Sequence, residues 1–294
     1  MDSTIRNPVQ WGWDQVKQAG KAVEHAGHSL LQTEDRMQAE KLEAPMPTVR
    51  HITIADLGDV VAQGAKDFGA YRTDVAFLCI IYPVVGLVLA RIAFGYDMLP
   101  LLFPLASGFA LIGPFAAIGL YEMSRRREQG AEITWRNAFD VLRSPNITAI
   151  VVLGLILMAI FLLWINAANF IYNVTLGPDT PVSLSAFAHD VLETPAGLAL
   201  IVFGCGTGFL FALLALSVSV ISFPLLLDRD IGLGTAIRTS VRAVERNPKT
   251  MAAWGVLVAA GLVLGSIPLF IGLVVVMPVL GHATWHLYRK IVPR

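Results

Sequence analysis

GLGTAIRTSV RAVERNPKTM AAWGVLVAAG LVLGSIPLFI GLVVVMPVLG HATWHLYR, residues 232–289, is the stretch whose reading decides the fold. Leu233, Ile237, Val241 and Val244 recur at helical spacing, and Arg238, Arg242 and Arg246 fall on the other side, which predicts an amphipathic helix. Asn247-Pro248 ends that helix, since proline has no N–H to give and restricts the residue before it. Thr250 suits the N-cap of a new helix, and Met251 to Gly281 carries no charge. That run is long enough for two membrane crossings, divided at Gly265-Ser266-Ile267-Pro268, where serine and proline suit a tight turn opening a helix. A basic end follows at Arg289 and Lys290.

The same plan recurs upstream. Slid back without a gap, Ile237, Val241 and Val244 land on Trp135, Phe139 and Leu142, Asn247-Pro248 lands on Pro145-Asn146, and Thr250 lands on Thr148. A further shift reaches Val61, Ala65 and Phe68, a Gly69-Ala70 break and Asp74 as cap. Each unit closes with a span carrying a proline, Pro114, Pro224 or Pro278. The expected architecture is an all-α membrane protein with six transmembrane helices as three pseudo-repeated hairpins, units about 53–122, 130–228 and 232–289. An amphipathic helix at the cytoplasmic interface precedes each hairpin.

Composition agrees. The chain of 294 residues is 55% hydrophobic and 15% charged with net charge zero, too apolar for an ordinary soluble domain and without the surplus a polyanion partner requires. No nucleic-acid partner is expected. Cys79 and Cys205 both lie in apolar runs, so no disulfide framework or CxxC site is implied. The first fifty residues lack the apolar core of a cleavable signal peptide. Residues 1–47 read as a cytoplasmic N-terminal arm and linker, soluble or surface-lying and ending at Ala44-Pro45-Met46-Pro47, and residues 48–294 as the membrane domain.

Surface helices are expected at about Thr53 to Phe68 and Glu132 to Leu142, and spans at about Val75 to Ala90, Met98 to Tyr121, Ile147 to Ile171 and Ala196 to Leu227. Of the 22 Lys and Arg, only Arg91 falls on the outer side of this scheme. The positive-inside rule then puts both termini and both Arg-rich connectors in the cytoplasm of a bacterial inner membrane.

Chemistry is sparse. His282 and His286 are four apart, share a helix face and are the metal-ligand candidates. No carboxylate or cysteine neighbours them in sequence, and an interfacial belt of His, Trp and Tyr ahead of Arg289 and Lys290 explains them better. Haem held by two histidines needs one from each of two facing helices, and only one span carries histidine. No cofactor is expected. Asn166 falls roughly 28 Å into its helix, at the outer boundary, so Asn166, Asn169 and Asn173 read as headgroup amides. No ionisable residue falls at mid-membrane depth, and Glu122 and Asp228 sit at helix ends. Gly204 with Gly208 and Gly261 with Gly265 fit close helix packing. Arg125, Arg126, Arg127, Arg238, Arg242, Arg246 and Lys249 are candidates for contact with anionic lipid headgroups, each basic residue worth about 1 kcal/mol there.

Met46-Pro47-Thr48-Val49-Arg50-His51-Ile52 leading to Asp56-Leu57, the Pro224-Leu225-Leu226-Leu227-Asp228 stop, and Gly281-His282-Ala283-Thr284-Trp285-His286-Leu287-Tyr288-Arg289 together resemble a bacterial integral-membrane family, domain of unknown function 2189. The resemblance spans about Pro47 to Arg289 and implies a six-span inner-membrane protein without an established activity. Some members carry a cytochrome c oxidase subunit label, which does not transfer here, because the scattered intramembrane histidines of a haem-copper subunit are absent. The expected role is that of a membrane protein acting by contact with other membrane proteins and the bilayer, as an accessory, assembly or envelope-organising factor without a catalytic centre. The alternative is a small-solute transporter or channel. A metal-binding or oxidase-associated subunit comes third.

Overall fold

The computed structural model describes residues 46–70, 79–80, 83–88, 91, 99–131, 133–177, 181 and 183–294. Regular structure among these residues is entirely helical. The elements are α1 (Ala55–Ala70), α2 (Leu102–Ala116), α3 (Ile118–Glu128), α4 (Ile147–Thr175), α5 (Leu184–Glu193), α6 (Pro195–Ser219), α7 (Ser222–Asp228), α8 (Leu233–Arg246), α9 (Pro248–Ser266) and α10 (Leu273–Ile291), with 3-10 turns at Leu99–Leu101 and Trp135–Arg143. The expected N-terminal arm, the Asp74 cap and most of the first expected span lie outside the described residues.

Among the described residues, four helical stretches are long and apolar enough to cross a membrane: Phe103–Glu128, Ile147–Thr175, Pro195–Asp228 and Pro248–Ser266. The expected sixth crossing, α10, is not among them, because its last turns hold His282, Thr284, His286, Tyr288, Arg289 and Lys290. Two of the crossings break where proline removes a backbone donor. α2 stops two residues after Pro114 and resumes as α3 beyond Ala117, while α6 yields to α7 at Val220-Ile221, just ahead of Pro224. The second break is satisfied from outside, since the Ile221 N–H donates to the Ser240 hydroxyl of α8 at 3.2 Å. The connector between α4 and α6 contains a further helix, α5, capped by Ser183, whose hydroxyl accepts from the Ala186 N–H.

Two caps differ from expectation. α9 starts at Pro248 and α4 at Ile147, so Thr250 and Thr148 lie inside their helices, and asparagines hold the N-cap positions. Asn247 accepts from the Ile52 N–H (2.8 Å) and donates to the Arg50 and Ala243 carbonyls, while Thr250 donates to the Ile52 carbonyl. Asn146 donates to the Leu226 and Arg229 carbonyls. An asparagine amide carries both donors and an acceptor, which lets it splice a passing strand of chain where a threonine hydroxyl reaches fewer groups.

The inward faces also differ. The buried row of α1 is Leu57, Val60, Gly64 and Asp67, with Val61 and Phe68 half-buried and Ala65 exposed. On α8 the buried row is Thr235, Ala236, Thr239, Ser240 and Ala243, and the expected stripe of Leu233, Ile237, Val241 and Val244 is half-buried. Small side chains let α8 lie close to α6 and α7, and that requirement outranks hydrophobicity in choosing the face. The helix expected at Glu132 to Leu142 is a 3-10 turn whose Trp135, Phe139 and Leu142 are exposed. Of the expected glycine pairs, Gly208 faces the Trp164 ring, and Gly261 and Gly265 face α10, whereas Gly204 has open space around it.

Candidate functional site

The polar residues that end α10 gather groups from three other helices. α1 runs along α10 as its main packing partner, and the approach is possible because Gly64 has no side chain. A Cβ there would stand 2.6 Å from the Val279 carbonyl oxygen and 2.7 Å from the Ala283 nitrogen. Gly281 does the same toward α3, where a Cβ would meet Leu120 at 2.6 Å. These two close approaches bring Asp67 of α1 and Ser124 of α3 against the histidines.

The Ser124 hydroxyl donates to Asp67 Oδ2 at 2.6 Å and lies 2.8 Å from His282 Nδ1. His286 Nε2 lies 2.9 Å from the same Asp67 oxygen, and Arg127 Nη1 donates to Asp67 Oδ1 at 2.8 Å and to the Lys66 carbonyl. Because the Ser124 proton goes to Asp67, the hydroxyl is left to accept from His282, which fixes the proton of that ring on Nδ1. His282 is 1% exposed and its Nε2 makes no hydrogen bond. Asp67 is 5% exposed. Burial pushes its carboxyl pKa up, the hydrogen bonds from His286 and Ser124 and the histidine charges pull it down, and the net position is below the ordinary carboxylate range.

The remaining polar groups of this end work alike. Trp285 Nε1 donates to Glu128 Oε2, the Tyr288 hydroxyl donates to Asp228 at 2.6 Å, Arg289 bonds both Glu128 and Asp228, and Lys290 reaches Asp56 and Asp59. The residues read as an interfacial belt are therefore turned into protein: Trp285 and Tyr288 are fully buried, and His286 is mostly covered. The carboxylates that receive them lie far away in sequence, which is why spacing alone did not show these partners.

As a metal site the pair is incomplete. Among the described residues no three of His, Cys, Asp and Glu converge on a common point. His282 turns Nδ1 to Ser124 while His286 turns Nε2 to Asp67, so the two rings do not aim at one ion. What the arrangement does chemically is hold four helices in register through charge-assisted hydrogen bonds.

The basic lipid-contact candidates divide into two groups. Arg125 and Arg126 both bond Glu122, which is 2% exposed, Arg126 also meets Asp140 at 2.9 Å, and Arg127 serves Asp67. These three are engaged within the fold. Arg238, Arg242, Arg246 and Lys249 are exposed and form no ion pair with a described residue.

Sequence spacing found His282 and His286 but missed Asp67, Ser124 and Glu128. For Asp67 a signal existed: it continues the row Leu57, Val60, Gly64 at spacings of three, four and three, so a carboxylate stands on the inward face.

The family model described as a predicted integral membrane protein (DUF2189) matches residues 102–228, which bears out the resemblance over the stretch from α2 to α7. No curated protein and no solved structure matches the chain.

Proposed function

We propose that this chain is a six-crossing protein of the bacterial inner membrane that acts by contact, as an accessory, assembly or organising factor, and has no catalytic centre of its own. One observation carries this reading: the buried charged groups at the basic end, Asp67 and Glu122, are both tied to partners within the chain, so the assembly there reads as a structural staple. The long helices meanwhile keep broad apolar faces outward, including Leu155, Leu163 and Phe170 on α4 and Leu198, Val202 and Phe209 on α6. Such faces suit lipid and neighbouring membrane helices.

The charge distribution supports both termini in the cytoplasm, and the four apolar helices are consistent with an even number of crossings, for which six is the proposed count. The repeat is supported by asparagine N-caps on both α4 and α9, one residue apart in the aligned register, each preceded by a short amphipathic segment and each splicing a distant piece of chain. Trp135, Phe139 and Leu142, exposed together, suit a segment lying on the inner leaflet.

Purification of the tagged chain from its own membrane in a mild detergent tests the role. The expected result is a partner recovered in fixed stoichiometry. A protein recovered alone that supports solute flux in proteoliposomes would overturn the contact reading in favour of transport.

A further inference from the structure

A cavity of about 440 Å³ opens between α6 and α9 and is floored by α2, α3 and α10. Its size is that of a small-molecule site, and its walls are apolar: Leu213, Leu216, Met251, Trp254, Val258 and Met277 stand for the lining. Of the hydroxyls that reach it, Ser219 donates to the Ala215 carbonyl and Thr284 donates to the Leu280 carbonyl. A polar solute entering there would lose its water and gain few partners, whereas an alkyl chain would lose nothing.

The cavity has a direction. Along α9 the lining runs from Pro248 to Leu262, about 21 Å at the helical rise, and along α6 from Phe209 to Val220, about 16 Å. Half of a membrane's hydrocarbon core is about 15 Å. The crevice is therefore as deep as one leaflet. Its flank is open sideways, where Phe209 and Val256 are 67% and 69% exposed. Its mouth lies at the corner between α8 and α9, where Val244 and the exposed Pro248 line it. Arg246 and Lys249 flank that corner in sequence, with Arg242 one turn before; all three are exposed and form no ion pair with a described residue, the neighbouring Glu245 included.

We infer that this crevice binds one acyl chain of an anionic phospholipid, with the headgroup held by Arg246 and Lys249. Depth, apolar walls and a basic mouth match the two halves of such a lipid. The inference rests on the membrane reading above and not on the contact role.

The test uses the full chain in nanodiscs of phosphatidylcholine doped with a phosphatidylglycerol whose acyl chain carries a photoreactive group. Crosslinks are expected on the α6 and α9 walls, and unlabelled phosphatidylglycerol should compete about thirtyfold better than phosphatidylcholine, the preference of two basic residues. Arg246→Ala with Lys249→Ala should erase that preference. Gly255 lines the cavity with room for a side chain, its nearest neighbour for a Cβ being Leu216 at 3.9 Å. Gly255→Leu, with Ala252→Leu as a second filling variant, should cut labelling about tenfold while the protein stays monodisperse. Crosslinks spread evenly over the lipid-facing helices, equal competition by the two lipids, or unchanged labelling in a well-folded filled variant would each overturn the site. The wild-type crosslink map decides the matter even if both filled variants misfold. A protein that labels as described and copurifies with nothing keeps the lipid site and removes only the contact role.

Discussion

At Asp67, desolvation and hydrogen bonding pull in opposite directions, and the second prevails because His286 and Ser124 reach the same oxygen while Arg127 covers the other. A folded pKa below the unfolded value makes the carboxylate a source of stability that is fully present above the unfolded pKa, about 3.9, and disappears as pH falls through the folded one. Docking of α1 should therefore weaken in acid. Asp67→Asn keeps the shape and removes the charge. It should cost about 1–3 kcal/mol at neutral pH, the lower part of the range if solvent reaching the 36%-exposed Arg127 screens that arm. At about 2–4 °C per kcal/mol for a chain of this size, the loss is readable in thermal unfolding of the detergent-solubilised protein. The parent should lose stability as pH falls below about 4, and the variant should lack that acid dependence; an equally steep acid limb in both would remove Asp67 from the account. The histidine pair was legible because four-residue spacing on a helix needs no tertiary information. Asp67 and Ser124 were not, since only the folded chain brings them to His282.

Helices were easier to read than their faces. α4, α6 and α9 are apolar runs whose existence follows from composition, and the break at Asn247-Pro248 follows from proline chemistry. Which side of α1 and α8 turns inward depends on what lies opposite, and there small residues replaced the expected stripes. Gly64 makes that dependence testable. Any side chain would strike the α10 backbone, which cannot yield as a flexible side-chain tip can. Gly64→Val should lift α1 from α10, break the Asp67 bonds as a group, and raise hydrogen exchange across residues 55–70 while α4 stays protected. Gly58, with nothing within 4 Å of a Cβ, is the matched control, and Gly58→Ala should leave exchange unchanged or slightly slower. Unchanged exchange in both variants would mean that α1 is not seated on α10 through Gly64.

Across the whole molecule, polarity is graded from one end to the other. The α3 end, the α7 end and the α10 end share the Glu128 and Asp228 ion pairs, so the basic termini of these helices are on the same side. The turn 267–272 between α9 and α10 lies at the other extreme of both helices, with Ile267, Leu269 and Ile271 exposed and Leu269 and Phe270 at positive φ. Two non-glycine residues in the left-handed region mark a tight reversal, and it carries no charge. If the basic side is cytoplasmic, this turn faces outward, and a chain that starts and ends inside crosses an even number of times. In a chain with Cys79 and Cys205 replaced by alanine, Ile271→Cys should react with a membrane-impermeant maleimide on intact cells. Arg242→Cys should react only after the membrane is opened. Labelling of both positions from one side would refute the hairpin of α9 and α10, and labelling with the sides exchanged would invert the orientation while leaving the hairpin intact.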